Sequence, residues 1–267
     1  IIRTFHVDPL ALAVAGSEDN PIEGYDGGKF SRTEYILPEL ISTLWSARDR
    51  AKASDNAVLS QAIKIIMNSF YGILGTSGCR FLDSRLVSSI TKRGHEILIR
   101  SKSFIEEAGY QVIYGDTDSV FVLLGPVPTD QVKPIGVGLT TQLNEWWTNR
   151  LREKFDIDSH LEMEFETHFT KFLMPTIRGS DAGSKKRYAG LIDDGNNQRL
   201  LFKGLESVRS DWSPLAREFQ QELYRRIFLD LPYEEYIKQT VAELSEGQLE
   251  SKLVLRKRLR RKLNEYV

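Results

Sequence analysis

Apolar residues at Ile36, Leu37, Leu40, Ile41 and Leu44 recur three and four positions apart, which predicts a helix over residues 33–52 with these side chains on one face. Arg48 and Lys52 follow one turn apart. The polar stretch Ala53-Ser54-Asp55-Asn56 reads as a turn, and Ile63, Ile66, Met67, Phe70 and Ile73 then mark the buried face of a second helix. Two helices joined by so short a turn predict an antiparallel hairpin. Residues 86–108 form another helical pattern closed by Gly109. Two β-rich runs, 111–114 and 119–124, flank the turn chemistry of Gly115-Asp116-Thr117-Asp118. Beyond them, 125–134 reads as a proline-bearing connection, 138–154 as a helix, and 161–172 as an extended segment alternating Glu162, Glu164 and Glu166 with Leu161, Met163 and Phe165. Residues 188–192 and 200–203 flank Asp193-Asp194-Gly195-Asn196, a hairpin signal. A helix follows from Ser213-Pro214 to about Leu229, and another from Tyr233.

Composition adds bounds to this picture. Of 267 residues, 41% are hydrophobic, enough for a folded core. No uninterrupted apolar run approaches the roughly 20 residues that cross a bilayer, so a soluble chain without a membrane partner is expected. The single Cys79 can form no bridge within the chain, which favours a reducing compartment, the cytoplasm. Thirty-six basic against thirty-seven acidic residues leave a net charge of -1, so any nucleic-acid binding must use local patches. Two exist: Lys185-Lys186-Arg187, and Lys252, Arg256, Lys257, Arg258, Arg260, Arg261 and Lys262 near the C-terminus. A charge run by itself is more often an ordinary solvated face. The chain opens on Ile1-Ile2-Arg3 without Met and reads as a piece of a longer protein.

Opposite the apolar stripe of the second helix, Lys64, Asn68 and Tyr71 stand at i, i+4 and i+7, in nearly one line. A cation, an amide and an aromatic ring in a row suit a ligand with phosphates and a flat base, and Gly72 leaves room for close approach. Asp116 and Asp118 lie within one turn, where a hard divalent cation would offset their repulsion. Each feature alone has a plain alternative, a solvated helix face or a polar turn.

Taken together the segments resemble one family. Lys64-Ile65-Ile66-Met67-Asn68-Ser69-Phe70-Tyr71-Gly72 is similar to the fingers motif K-x-x-x-N-S-x-Y-G of family B DNA polymerases, and Tyr114-Gly115-Asp116-Thr117-Asp118-Ser119 matches their palm motif Y-G-D-T-D-S. Lys185-Lys186-Arg187-Tyr188 resembles the K-K-x-Y element, in the expected order. The segments Met174-Pro175-Thr176-Ile177-Arg178-Gly179 and Lys203-Gly204-Leu205-Glu206 point to the bacterial DNA polymerase II branch.

The resemblance implies an α+β fold: an antiparallel palm sheet packed with helices, a two-helix antiparallel fingers hairpin and the start of a helical thumb. It divides the chain into the start of the palm (1–32), fingers (33–75), palm (76–210) and partial thumb (211–267). It implies template-directed DNA synthesis with two Mg²⁺ ions. Asp116 and Asp118 would be catalytic and hold metal, with Glu166, and secondarily Glu164, beside them. Arg48, Lys52, Lys64, Asn68, Tyr71 and Gly72 would bind the nucleotide. Lys185, Lys186, Arg187, Tyr188, Lys203 and Arg209 would contact DNA. The implied partners are primer-template DNA and deoxynucleoside triphosphates, with a sliding clamp reached through other regions. The family's Asp-Ser-Leu-Tyr-Pro-Ser segment would precede Ile1-Ile2, and without that Asp the fragment is expected to be inactive. A noncatalytic nucleic-acid-binding module stays open as the alternative reading. A glycosyltransferase would explain the paired aspartates but not Lys64, Asn68 and Tyr71.

Overall fold

The computed structural model describes residues 1–176, 179, 183, 184, 186–193, 195, 197–256 and 264. Lys185, Ile177, Arg178, Asp194, Asn196 and the basic residues Lys257, Arg258, Arg260, Arg261 and Lys262, all singled out above, lie outside the described residues. Helices and small antiparallel sheets make an α+β fold, arranged in two compact units, Ile1–Phe165 and Glu166–Val267.

The first unit opens with two short helices, α1 (Ile2–Phe5) and α2 (Pro9–Val14), and a small ribbon of β1 (Ile22–Glu23) with β2 (Lys29–Phe30). Its core gathers Phe5, Val7, Phe30, Leu86, Ile105, Leu143, Trp147 and Leu151. The fully buried carboxylate of Asp8 accepts from Ala11 N at 2.9 Å and from Leu37 N at 2.8 Å. One side chain thereby caps α2 and the first turn of α3 (Leu37–Ala53). Helix α3 starts at Leu37, later than the expected residue 33, because Pro38 suits only a first-turn position. Ile36 and Leu40 are exposed, and Ile41 and Ala51 carry the buried face instead.

Asn56 caps α4 (Ala57–Leu74), accepting from Leu59 N at 3.0 Å, and α3 and α4 pack as the expected hairpin. Only Ile63 and Leu74 of α4 are fully buried; Ile66 and Ile73, expected inside, are exposed. Helix α4 packs chiefly on α3 and only near its C-terminal end on α5, which leaves most of its surface uncovered. Helix α4 is also long and apolar enough to cross a membrane, by length and composition. Ser60, Gln61, Lys64, Asn68 and Ser69 interrupt it, so it holds no uninterrupted apolar run of that length.

Helix α5 (Ser84–Glu107), capped by Asp83, ends as expected before Gly109, whose φ of 90° only glycine adopts freely. Buried Arg93 lies over the rings of Phe5, Tyr25 and Phe155 and donates to Glu96 at 2.6 Å. Strands β3 (Gln111–Asp116) and β4 (Ser119–Leu123) pair antiparallel. Helix α6 spans Thr129–Phe155 and overturns the expected connection over 125–134. Its Pro134 removes one hydrogen bond near the start, while Val132 and Gly136 bury the same turn; a Cβ at Gly136 would overlap the ring of Phe165. Residues 161–169 join no sheet, yet the expected alternation holds, with Leu161, Met163 and Phe165 half-buried and Glu162, Glu164 and Glu166 exposed. The Asn144 side chain stands in for a strand partner, accepting from Met163 N at 2.8 Å and donating to Met163 O at 3.0 Å.

In the second unit β5 (Lys171–Leu173), β6 (Tyr188–Asp193) and β7 (Gln198–Lys203) form an antiparallel sheet in that order. Helix α7 (Pro214–Phe228), capped by Ser213, packs Phe228 against Ala189, Leu191 and Leu205, and α8 (Glu234–Ser245) follows.

Candidate active site

Strands β3 and β4 place the two carboxylates. Asp116 pairs with Ser119, so only Thr117 and Asp118 form the turn between them. Thr117 takes a φ of 52°, a conformation that costs a β-branched residue energy and is held here by the pairing on either side. Its hydroxyl donates to Asp116 Oδ1 at 3.0 Å, and the Ser119 hydroxyl to Asp118 Oδ1 at 3.4 Å. The turn therefore presents two carboxylates at one hairpin tip, with Asp118 exposed and Asp116 half-buried. The donor chemistry, two hard oxygen ligands beside solvent, fits Mg²⁺, which takes one or two carboxylates and completes its shell with phosphate and water. Among the described residues no group of three or more His, Cys, Asp or Glu gathers to hold an ion. Glu164 is exposed in the first unit and Glu166 in the second.

On α4, Lys64, Asn68 and Tyr71 are all exposed along one face, spanning about 10 Å of helix axis. Gly72 beside them faces open space. Arg48 lies five residues before the end of α3, about 7–8 Å along its axis, and Lys64 seven residues into α4, about 10–11 Å along its axis, with Lys52 nearer the turn. Arg48 is half-buried, and its Nε is shielded from solvent without a hydrogen-bond partner. An unsatisfied buried donor is costly.

In the second unit the expected DNA contacts divide. Lys186 sits in a turn at φ 62°, exposed. Tyr188 opens β6 and rests in an aromatic cluster with Phe169 and Phe172, at 6.2 and 5.3 Å between ring centroids. Lys203 lies across from it at the end of β7, exposed and without an ion pair among the described residues. Arg209 instead spends its guanidinium on Asp211, through Nε at 3.0 Å and Nη2 at 2.6 Å, and Arg187 is bridged to Glu206. Reasoning from sequence missed Glu206, Gly204 and Gln220 as a group; Lys203-Gly204-Leu205-Glu206 was the one visible signal, and nothing in it foretold contact with Arg187.

Residues 23–267 match the sequence family described as DNA polymerase family B. The chain is 54% identical to DNA polymerase II of Escherichia coli (strain K12), an alignment covering 100% of this chain and 34% of that protein. It is 28% identical to a DNA polymerase of Thermococcus gorgonarius, again over 100% of this chain and 34% of the relative. To the DNA polymerase delta catalytic subunit of Glycine max it is 29% identical, over 86% of this chain and 22% of the relative. The chain thus spans about a third or less of the length of these curated relatives.

Proposed function

Because the chain belongs to DNA polymerase family B, we propose that it carries the nucleotidyl-transfer site of a template-directed DNA polymerase. In this reaction a primer 3′-hydroxyl attacks the α-phosphate of a deoxynucleoside triphosphate and pyrophosphate leaves. The observation that carries the reading is the two-residue turn that presents Asp116 and Asp118 together at a hairpin tip. These carboxylates would hold Mg²⁺. Two such ions, when bound, stabilise the entering and leaving oxygens.

The remaining roles belong to this chain's own side chains. Arg48, Lys52 and Lys64 neutralise the triphosphate, and the shielded Nε of Arg48 gains an acceptor there. Asn68 offers an amide to the same ligand. Tyr71 presents its ring to the nascent base pair, and Gly72 lets the backbone approach it. Lys185, Lys186 and Lys203 meet duplex phosphates, and Tyr188, paired with Lys203 across β6 and β7, anchors that end of the sheet. Glu166 stands as a supporting acidic group of the palm. The division into palm, fingers and thumb over 1–32, 33–75, 76–210 and 211–267 belongs to this reading, as do primer-template DNA and deoxynucleoside triphosphates as partners. A clamp would be bound through other regions, and the setting is the bacterial nucleoid.

The test is Asp118→Asn in the full-length gene product. Primer extension should fall roughly 10²- to 10³-fold in kcat while primer-template affinity holds. Unchanged extension by the variant would sink the assignment, and DNA binding without any extension by the unaltered protein would favour a noncatalytic binding module.

A further inference from the structure

The turn before β6 and the turn after β7 are locked together. Lys186 and Gly204 both take positive φ, 62° and 63°, and a Cβ at Gly204 would overlap the Lys186 carbonyl oxygen. Only glycine permits that approach. Next to this contact Arg187 Nη2 is ion-paired with Glu206 Oε1. The other oxygen of Glu206 accepts from Gln220 Nε2 on α7 at 2.7 Å, and the Gln220 carbonyl oxygen accepts from Ser207 N, also at 2.7 Å. Gln221, the next residue of α7, donates to Ser207 O at 3.2 Å. Burial opposes ionisation of Glu206, yet the bonds from Gln220 and Arg187 outweigh it and hold its carboxyl below the ordinary range. The Nε of Arg187 is shielded from solvent without an acceptor, so the base of the fork is turned into the protein.

We infer that Arg187 is a positioning residue and not a phosphate contact: clamped by Glu206, it ties the basic turn before β6 to helix α7 through Gln220, and so sets the geometry in which the neighbouring lysines meet the duplex. This rests on the polymerase reading above. The pair is held by one Nη2–Oε1 contact, while the shielded Nε seats the rest of the side chain in the protein. The clamp acts on geometry and adds no charge to the DNA-facing surface, because the Arg187 charge is already matched by Glu206.

The experiment measures primer-template affinity of the full-length protein across salt, from about 50 to 200 mM, for R187K, R187M, E206Q and K203A. A lost phosphate contact flattens the log-affinity versus log-salt slope by about 0.9, which is the result expected for K203A. R187M and E206Q should each weaken binding about fivefold at every salt with the slope unchanged, and the double variant should be no weaker than either, since both break one clamp. R187K, which can still pair with Glu206 through one point, should lose less affinity than R187M. A slope flattened by R187M would make Arg187 a direct contact and overturn the inference. So would additive losses in the double variant. Absence of salt-dependent binding by the unaltered protein would overturn the polymerase reading and this inference with it.

Discussion

Lys64 stands on the exposed face of α4 in line with Asn68 and Tyr71. Its contribution on the proposed reading is a charge-assisted contact with the triphosphate, worth about 1.5–3 kcal/mol. Lys64→Ala should therefore lower kcat/KM for nucleotide roughly ten- to a hundredfold, with little change in DNA affinity. Steady-state kinetics beside a DNA-binding titration would check this; collapse of DNA affinity with intact nucleotide kinetics would reject it. This row was legible in the sequence because helical spacing alone decides which side chains share a face. The shielded Nε of Arg48 was not, since its surroundings depend on how α3 and α4 pack.

At the scale of elements, side chains distant in sequence complete what local signals begin. Pro38 fixes the start of α3 four residues after periodicity placed it, and Asp8, 29 residues upstream, accepts from Leu37 N there. Asn144 on α6 holds Met163 by its backbone, so the alternating stretch 161–169 runs without a strand partner. Asn144→Ala would leave both Met163 backbone groups to find other partners. Loss of two partly buried hydrogen bonds should cost about 1–3 kcal/mol in denaturant unfolding. Asn144→Asp should recover part of that loss, because its carboxylate still accepts from Met163 N. A stability equal to wild type in the alanine variant would show that water replaces the amide at no cost. The strands β3, β4, β6 and β7 and helices α4, α5, α7 and α8, by contrast, formed close to where pattern and capping residues set them.

For the molecule as a whole, charge and core matter more than any one element. Within the first unit Glu96 gathers Arg93 at 2.6 Å, Arg100 at 2.9 Å, the Tyr25 hydroxyl at 3.0 Å and Lys154 at 3.7 Å, drawing together α5, the end of α6 and the loop between β1 and β2. Burial works against its charge, but the hydrogen bonds from Arg100, Arg93 and Tyr25, with the charge of Arg93, depress its pKa from 4.5 to about 2. A depressed carboxylate contributes stability that is fully present above its unfolded value and is lost as pH falls through the folded one. Roughly 3 kcal/mol is at stake. The unfolding free energy should fall as pH drops from about 4.5 towards 2, and Glu96→Gln should remove that part of the slope. Parallel pH profiles for the two proteins would refute the assignment. The amino-acid sequence by itself determined the helical hairpin, the Asp-Thr-Asp turn, the row on α4 and the family, because each follows from spacing, turn chemistry or contiguous motifs within a few residues. Tertiary structure alone decided that Asp8 caps the first turn of α3, that Tyr188 anchors an aromatic cluster, and that Arg187 is held by Glu206. Hydrophobic periodicity reports which face is buried, and a polar side chain's partner is set only when the chain brings distant residues within about 3 Å.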